Sequence, residues 1–542
     1  MKLRNILYSG ALLLAFSSCS DFLEQPPKNL LSADGFYQTA AQANQGVLGI
    51  YADLRYLVEH EYHEMSEYRS DNVWSNPTPN GQRDCSDISN FRAGSELGTF
   101  ESAWDAWYKV IFDANTAIAK LSKAKFNNAT VQAQLLNEAH FLRGWAYFEL
   151  VRLFGNVPVV LEPSSPSAVN AIAQTDGRTI LDKVVIPELK YGLDLPDKGN
   201  VTDGAGTKVP AQGRADKTAA AAMLARVYMT LAGNPYNDAT ATASAKTYLQ
   251  QVLANKARYW APTIAEWRKQ FTPDGNNLYS VFAIQYRVGG TGNPGIFSMV
   301  KSLPPSYTNG VGVRLFGYDN FVEKTLRFEF NRVYSTGNKD LRGEGWSLLD
   351  GYPAEGNTVA YSNAKELLTV DGESDSVYVE SIIYKPIPSK PKLDALGLSM
   401  NYSTLKDYND WPVNYAVIRI EDMMLLQAEI LVDEGKTAEA LAIVNEIRSR
   451  AGIDPVATDV DAATARKYVR RERRLELFGE GVRWFDQVRY GTWKQDIIDM
   501  FARYGNPEGA SASNVADGRY LYPIPANQMN ITPGLYKQNA GY

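Results

Sequence analysis

The stretch Arg69-Ser70-Asp71-Asn72-Val73-Trp74 holds the densest recognition chemistry in the chain. Guanidinium, carboxylate and amide groups hydrogen-bond hydroxyls, and a flat indole covers an apolar C–H face. A sugar ring offers both kinds of surface, so Arg69, Asp71, Asn72 and Trp74 are the first candidate ligand contacts. The same residues would equally build a self-bonded turn, with Asp71 or Asn72 capping its own backbone and Trp74 packed inward. Tyr286, Tyr307 and Trp346 sit among Gly- and Pro-rich segments where large rings tend to reach solvent. They are candidates for an opposing wall, with Arg287 and Arg314 as polar partners, although each ring alone would also suit a core.

Other chemistry finds little support. His60 and His63 lie three apart, not at the i, i+4 spacing of a zinc-protease helix. His140 lies within an apolar helical pattern and reads as a packed or rim histidine. Asp371-Gly372-Glu373-Ser374-Asp375 imitates the start of a calcium loop, but Ser376 and Ile382 stand where Gly and Glu are needed. Gly289-Gly290-Thr291-Gly292 follows a strand pattern without the Lys-Ser/Thr of a phosphate loop. No metal site, cofactor or catalytic residue is therefore assigned. A carboxylate pair for glycoside hydrolysis is a spatial feature that a sequence does not display.

Helices must position these residues. Apolar periodicity predicts helices over 32–58, 104–122, 131–154, 176–195, 215–232, 239–255, 417–434 and 437–451. Leu135, Ala139, Leu142, Ala146, Leu150 and Leu153 form the clearest stripe. The 417–434 and 437–451 pair, joined at Gly435, follows the helix–turn–helix logic of a tetratricopeptide repeat without its full signature. The expected fold is thus mainly α, a tetratricopeptide-repeat-like scaffold of about four helix pairs: 32–58 with 104–122, 131–154 with 176–195, 215–232 with 239–255, and 417–434 with 437–451. Between them, 59–99 reads as a long loop. Residues 257–415 read as a loop-rich irregular insertion with short strands near 279–288 and 376–387.

A helix over 461–490 caps this array. Tyr468, Leu475, Phe478, Val482 and Phe485 share its apolar face, while Glu472, Glu476 and Glu480 fall on one i, i+4 row. Like charges at that spacing repel by a few tenths of a kcal/mol, so cations from packed neighbours are expected beside them. Arg143 and Arg152 are the candidates.

Composition sets the outer bounds. A chain of 542 residues with 45% hydrophobic and 11% aromatic content builds a large core. Its formal net charge of −6 lacks the basic excess of a nucleic-acid binder. Lys2 and Arg4 followed by an apolar run from Ile6 to Phe16 form a signal peptide over 1–18. Small residues Ser17 and Ser18 before Cys19 match a bacterial lipobox, so Cys19 is the expected lipidated N-terminus, with 19–31 as a tether. Cys85 then has no intramolecular partner. The division expected is one domain over 32–542, with scaffold 32–256 and 416–490, insertion 257–415 and tail 491–542.

Four stretches in this order resemble the SusD-like (RagB/SusD) family. They are the leader ending at Cys19, the Phe141-Leu142-Arg143-Gly144-Trp145-Ala146-Tyr147 helix with Phe154-Gly155-Asn156-Val157-Pro158, the Glu/Arg-rich 470–486 segment, and the tail from Leu521-Tyr522-Pro523-Ile524-Pro525 to Tyr542. The resemblance implies a lipid-anchored outer-membrane surface protein that is not an enzyme. It implies capture of an oligosaccharide or polysaccharide and delivery to a partner TonB-dependent (SusC-like) transporter, with a ligand site near the 69–74 loop. A peptide-binding member of the same family and a ligand-free structural lid are the alternatives.

Overall fold

Thr39 opens the scaffold with a capping box. Its hydroxyl accepts from the Gln42 N–H at 3.2 Å, and the Gln42 side chain accepts from the Thr39 N–H at 3.1 Å. The computed structural model describes residues 36–77, 83–125, 128–197, 201–202, 208–209, 213–294, 305–308, 320–351, 362–406, 410–531 and 533–542. The leader, Cys19, the expected helix start at Ser32 and Arg314 lie outside these residues.

The helices line up as adjoining pairs. Helix α1 (Ala40–Asp53) packs on α2 (Gly98–Leu121), and α2 packs on α3 (Ala129–Phe154). Helical turns from Gly177 to Asp194, π-helical over Leu181–Val185, cover the next face of α3. Then α4 (Lys217–Ala232) packs on α5 (Ala241–Leu253), and α6 (Ile420–Asp433) on α7 (Thr437–Arg450). Helix α5 also touches α6, so the last pair continues the row across the insertion. The expected stripe Leu135–Leu153 on α3 is wholly buried. Small residues Ala219–Ala222 bring α4 close to its neighbours, and at Gly192 an added Cβ would lie 2.7 Å from the Ala220 Cβ. The mainly helical fold with scattered two-stranded ladders is thus as the periodicity predicts.

Four expectations about elements are corrected. Residues 59–99 are not one long loop: a π-helix spans Val58–Glu67, strand β1 spans Val73–Ser75, and a helix spans Arg83–Ser89. Glu61, His63, Glu64, Ser66 and Glu67 interrupt the apolar pattern there, yet all are buried. Residues 417–419 are not helical but end strand β4 (Tyr415–Arg419), which pairs antiparallel with β2 (Ser280–Ile284). The helix expected over 461–490 is two helices, α8 (Ala462–Glu476) and α9 (Arg483–Tyr490). Gly479 and Gly481, at φ of 76° and 66°, break it, and the Glu67 carboxylate accepts both of their N–H groups at 3.0 Å. In the insertion, the strand expected near 376–387 is two, Glu373–Tyr378 and Ser381–Ile383.

The acidic row of α8 is an ion-paired seam, as its repulsion requires, but the partners differ from those expected. Arg342 lies 2.8 Å from Glu472 and 2.7 Å from Glu476. Arg419 bridges Glu476 at 2.9 Å and Glu480 at 2.7 Å, while Arg450 meets Glu476 at 2.8 Å. Arg143 instead pairs with Glu188 at 2.7 Å and Arg152 with Glu149. Arg342 comes from the insertion and Arg419 from the end of β4 just after it, so the seam ties the insertion to the helical row. A second apolar core forms there, gathering β1, β3 (Asn320–Val322), Phe478, Trp484 and α10 (Trp493–Arg503).

Candidate functional site

The 69–74 stretch lies inside the second core. The Arg69 guanidinium sits 3.3 Å over the Phe91 ring and donates to the carbonyls of Ile88 at 2.7 Å and Arg519 at 2.8 Å. Asp71 accepts from Arg483 at 2.7 and 2.9 Å. Burial alone would raise the Asp71 carboxyl, but Arg474 and Arg483 outweigh it and hold it well below the usual carboxylate range. Asn72 donates to Glu67 at 2.8 Å and accepts from Arg474 at 2.9 Å. Trp74 is 4% exposed, set in β1 opposite Phe321. At these four residues, expected as an open sugar platform, the recognition groups face protein partners and the indole is packed inward. Arg483 lies 412 positions from Asp71, beyond any local pattern.

Tyr286 is also buried; its hydroxyl donates to the Arg55 carbonyl at 2.7 Å. Tyr307 and Trp346 behave otherwise, for both rings are half-buried and lie in one neighbourhood. The Tyr307 ring is 6.2 Å from the Tyr384 ring, Lys392 Nζ is 3.9 Å from the Tyr384 ring, and the same amine is 5.8 Å from the Trp346 ring. Arg268 covers Trp346 at 4.3 Å and donates to the Leu341 carbonyl at 2.6 Å. Sequence reasoning missed Arg268, Tyr384 and Lys392, and no local signal marks them.

Two groups beside these rings have displaced proton affinities. Lys392 is buried, with the Tyr384 and Lys385 carbonyls accepting from its amine. Burial, with repulsion from Lys385 and Arg268, pushes the amine well below its ordinary value. Glu344 is solvent-exposed as a whole residue, yet its carboxyl is hemmed in by protein and pushed up to about 8, by burial first and then by Asp350. Two half-open rings, Tyr307 and Trp346, beside these packed groups suit a ring-shaped ligand held by stacking and a few hydrogen bonds.

The motifs doubted from sequence are filled by protein. Asp410 accepts the N–H groups of Gly289 and Gly290 at 2.8 Å and of Gly292 at 3.1 Å, so a carboxylate occupies the glycine loop. Asp371 pairs with Lys467 at 2.9 Å and Glu373 with Arg332 at 2.6 Å. His63 is buried, and burial lowers it to about 3. Among the described residues no cluster of three or more His, Cys, Asp or Glu could hold a metal.

Comparison with known proteins agrees with this architecture. Residues 400–542 match the SusD family model, and 21–229 match a family described as starch-binding associating with outer membrane. The chain is 26% identical to SusD-like protein P38 of Formosa agariphila over 90% of this chain and 92% of that one. Among solved structures it is similar to a SusD homolog from Bacteroides thetaiotaomicron (TM-score 0.73, 20% identity, covering 94% of this chain and 99% of that one). It is also similar to a laminarin binding SusD-like protein (TM-score 0.66, 22% identity, 93% and 100%). Matched at both ends by family models and along nearly its whole length by relatives of the same architecture, the chain is a SusD-like protein.

Proposed function

We propose that this protein binds an oligosaccharide or polysaccharide at the cell surface and delivers it to a partner TonB-dependent transporter of the outer membrane. The observation that carries the reading is the pair of half-buried rings, Tyr307 and Trp346, linked through Tyr384 and Lys392 on the insertion. Similarity to a family described as starch-binding, and to a laminarin binding protein and a surface glycan-binding protein, supports the sugar class. Binding is noncovalent and no bond in the sugar is broken. The chain is held at the outer membrane through a lipid on Cys19, consistent with the described helices, none of which is long and apolar enough to cross a membrane. A glycan array set beside a peptide-pool pull-down tests the ligand class: retention of glycans supports the reading, and enrichment of peptides alone overturns it. Cys19→Ala should release the full chain from membranes; a variant that stays membrane-bound would contradict the anchor.

A further inference from the structure

Helix α2 carries an aromatic row that its packing consumes only at one end. Trp104, Tyr108 and Phe112 stand at i, i+4 and i+8, one face of the helix. Their exposure rises along that face: Trp104 is buried, Tyr108 is half-buried, and Phe112 is 54% exposed. More than half of the Phe112 residue stays open to solvent, so its ring leaves apolar area free for a ligand.

The row floors a groove of about 240 Å³, walled by the 158–164 segment on one side and by the C-terminal Tyr536 on the other. Its walls are preset. The Tyr108 hydroxyl donates to the Pro158 carbonyl at 2.7 Å, and the Trp104 and Tyr108 rings sit 5.0 Å apart at 39°, forming a fixed wedge. Asn115 donates to the Val160 carbonyl at 2.9 Å while accepting from Arg143 at 2.8 Å, which pins the far wall to the scaffold. No Lys, Arg or His lines the groove, whereas Asp105 and Glu162 stand at its rim. Among the described residues neither carboxylate has an ion-pair partner.

That combination selects a ligand class. Flat rings present apolar area to C–H faces, and carboxylates accept from hydroxyls. Two unpaired carboxylates and no cation disfavour uronate or sulfated sugars by charge repulsion. The volume falls below the roughly 300–1,000 Å³ of a drug-sized pocket, so the groove fits only a short stretch of chain. We propose that this groove is a second carbohydrate site, taking a short run of neutral pyranose units. Tyr108, Phe112 and Tyr536 supply the stacking surfaces, the buried Trp104 backs Tyr108, and Asp105 and Glu162 accept hydroxyls. The inference rests on the carbohydrate reading above but not on the Tyr307 and Trp346 face. Two sites on one rigid chain would hold a polysaccharide more tightly than either alone.

Calorimetric titration of the full chain with maltose, cellobiose and laminaribiose tests it, with thermal melting as the check of folding. Two sites are expected for at least one disaccharide. Phe112→Ala and Tyr536→Ala should each weaken one of them about tenfold, the upper end of one lost aromatic contact, and leave the other unchanged. Phe112→Tyr should retain binding, and Trp346→Ala should affect only the other site. If Trp346→Ala alone removes all binding and Phe112→Ala removes none, the groove is overturned and the carbohydrate function stands. If Phe112→Ala removes all binding and Trp346→Ala none, the groove stands and the Trp346 face falls. Silence with all three disaccharides would overturn the neutral-sugar assignment.

Discussion

The indole of Trp74 lies flat on the ring of Tyr504, 4.0 Å away and 5° from parallel. The stack closes the second core where β1 meets α10, and Phe501 adds an edge contact at 6.3 Å. Removing the indole opens a cavity that the surrounding rings fill only in part. Trp74→Ala should therefore cost about 3–5 kcal/mol of stability in denaturant unfolding. The glycan affinity of the folded fraction should stay at the wild-type value by calorimetry.

Glu476 is wholly buried among Arg342, Arg419 and Arg450 and accepts from the Trp267 indole N–H at 2.8 Å. Removing its charge leaves buried guanidinium groups without compensation. Glu476→Gln should destabilise by about 3–5 kcal/mol, read from the denaturant midpoint. Burial would raise this carboxyl, but Arg450, Arg419, Arg342 and Lys385 drive it well below 4.5. A depressed carboxyl contributes stability that is present above its unfolded value and lost as pH falls through its folded one, so this seam weakens in acid.

His63 works in the same direction on a different range. Its folded value of about 3 lies below the unfolded 6.5 because the buried ring resists charging. The neutral ring's contribution is intact above about 6.5 and is lost as pH falls from there toward 3. In His63→Gln, unfolding stability measured across that interval should depend less steeply on pH than in the wild type.

Gly481 holds a φ of 66°, and a Cβ there would lie 2.6 Å from the Tyr62 carbonyl and 2.8 Å from the Ser66 hydroxyl. Gly435 has a φ of 75° with nothing within 4 Å of an added Cβ. Both alanine variants carry left-handed strain of about 1–2 kcal/mol, and only Gly481→Ala adds a clash with backbone. Its melting temperature should drop visibly further than that of Gly435→Ala.

The sequence disclosed elements whose burial is apolar and concealed those whose burial is polar. The stripe on α3 repeats Leu and Ala at helical spacing, so the pattern reports its own environment. The π-helix over Val58–Glu67 buries Glu61, His63 and Glu67, which local periodicity scores as loop. Arg69, Asp71 and Asn72 carry the same ambiguity, because residues that hydrogen-bond hydroxyls also hydrogen-bond distant protein groups. The acidic row of α8 announced its need for cations through its own repulsion, but which cations answer it depends on the placement of the insertion. Trp104, Tyr108 and Phe112 share helical spacing within the 104–122 pattern, but whether their rings stay open depends on where the 158–164 segment and the tail come to rest.

The most direct test of the central claim is calorimetric titration of Trp346→Ala, in a full chain of unchanged melting temperature, with a polysaccharide that the wild type binds. Affinity at one site should fall about tenfold, the upper end of what a single aromatic contact supplies. Wild-type affinity at every site in Trp346→Ala, and again in Tyr307→Ala, would contradict that claim.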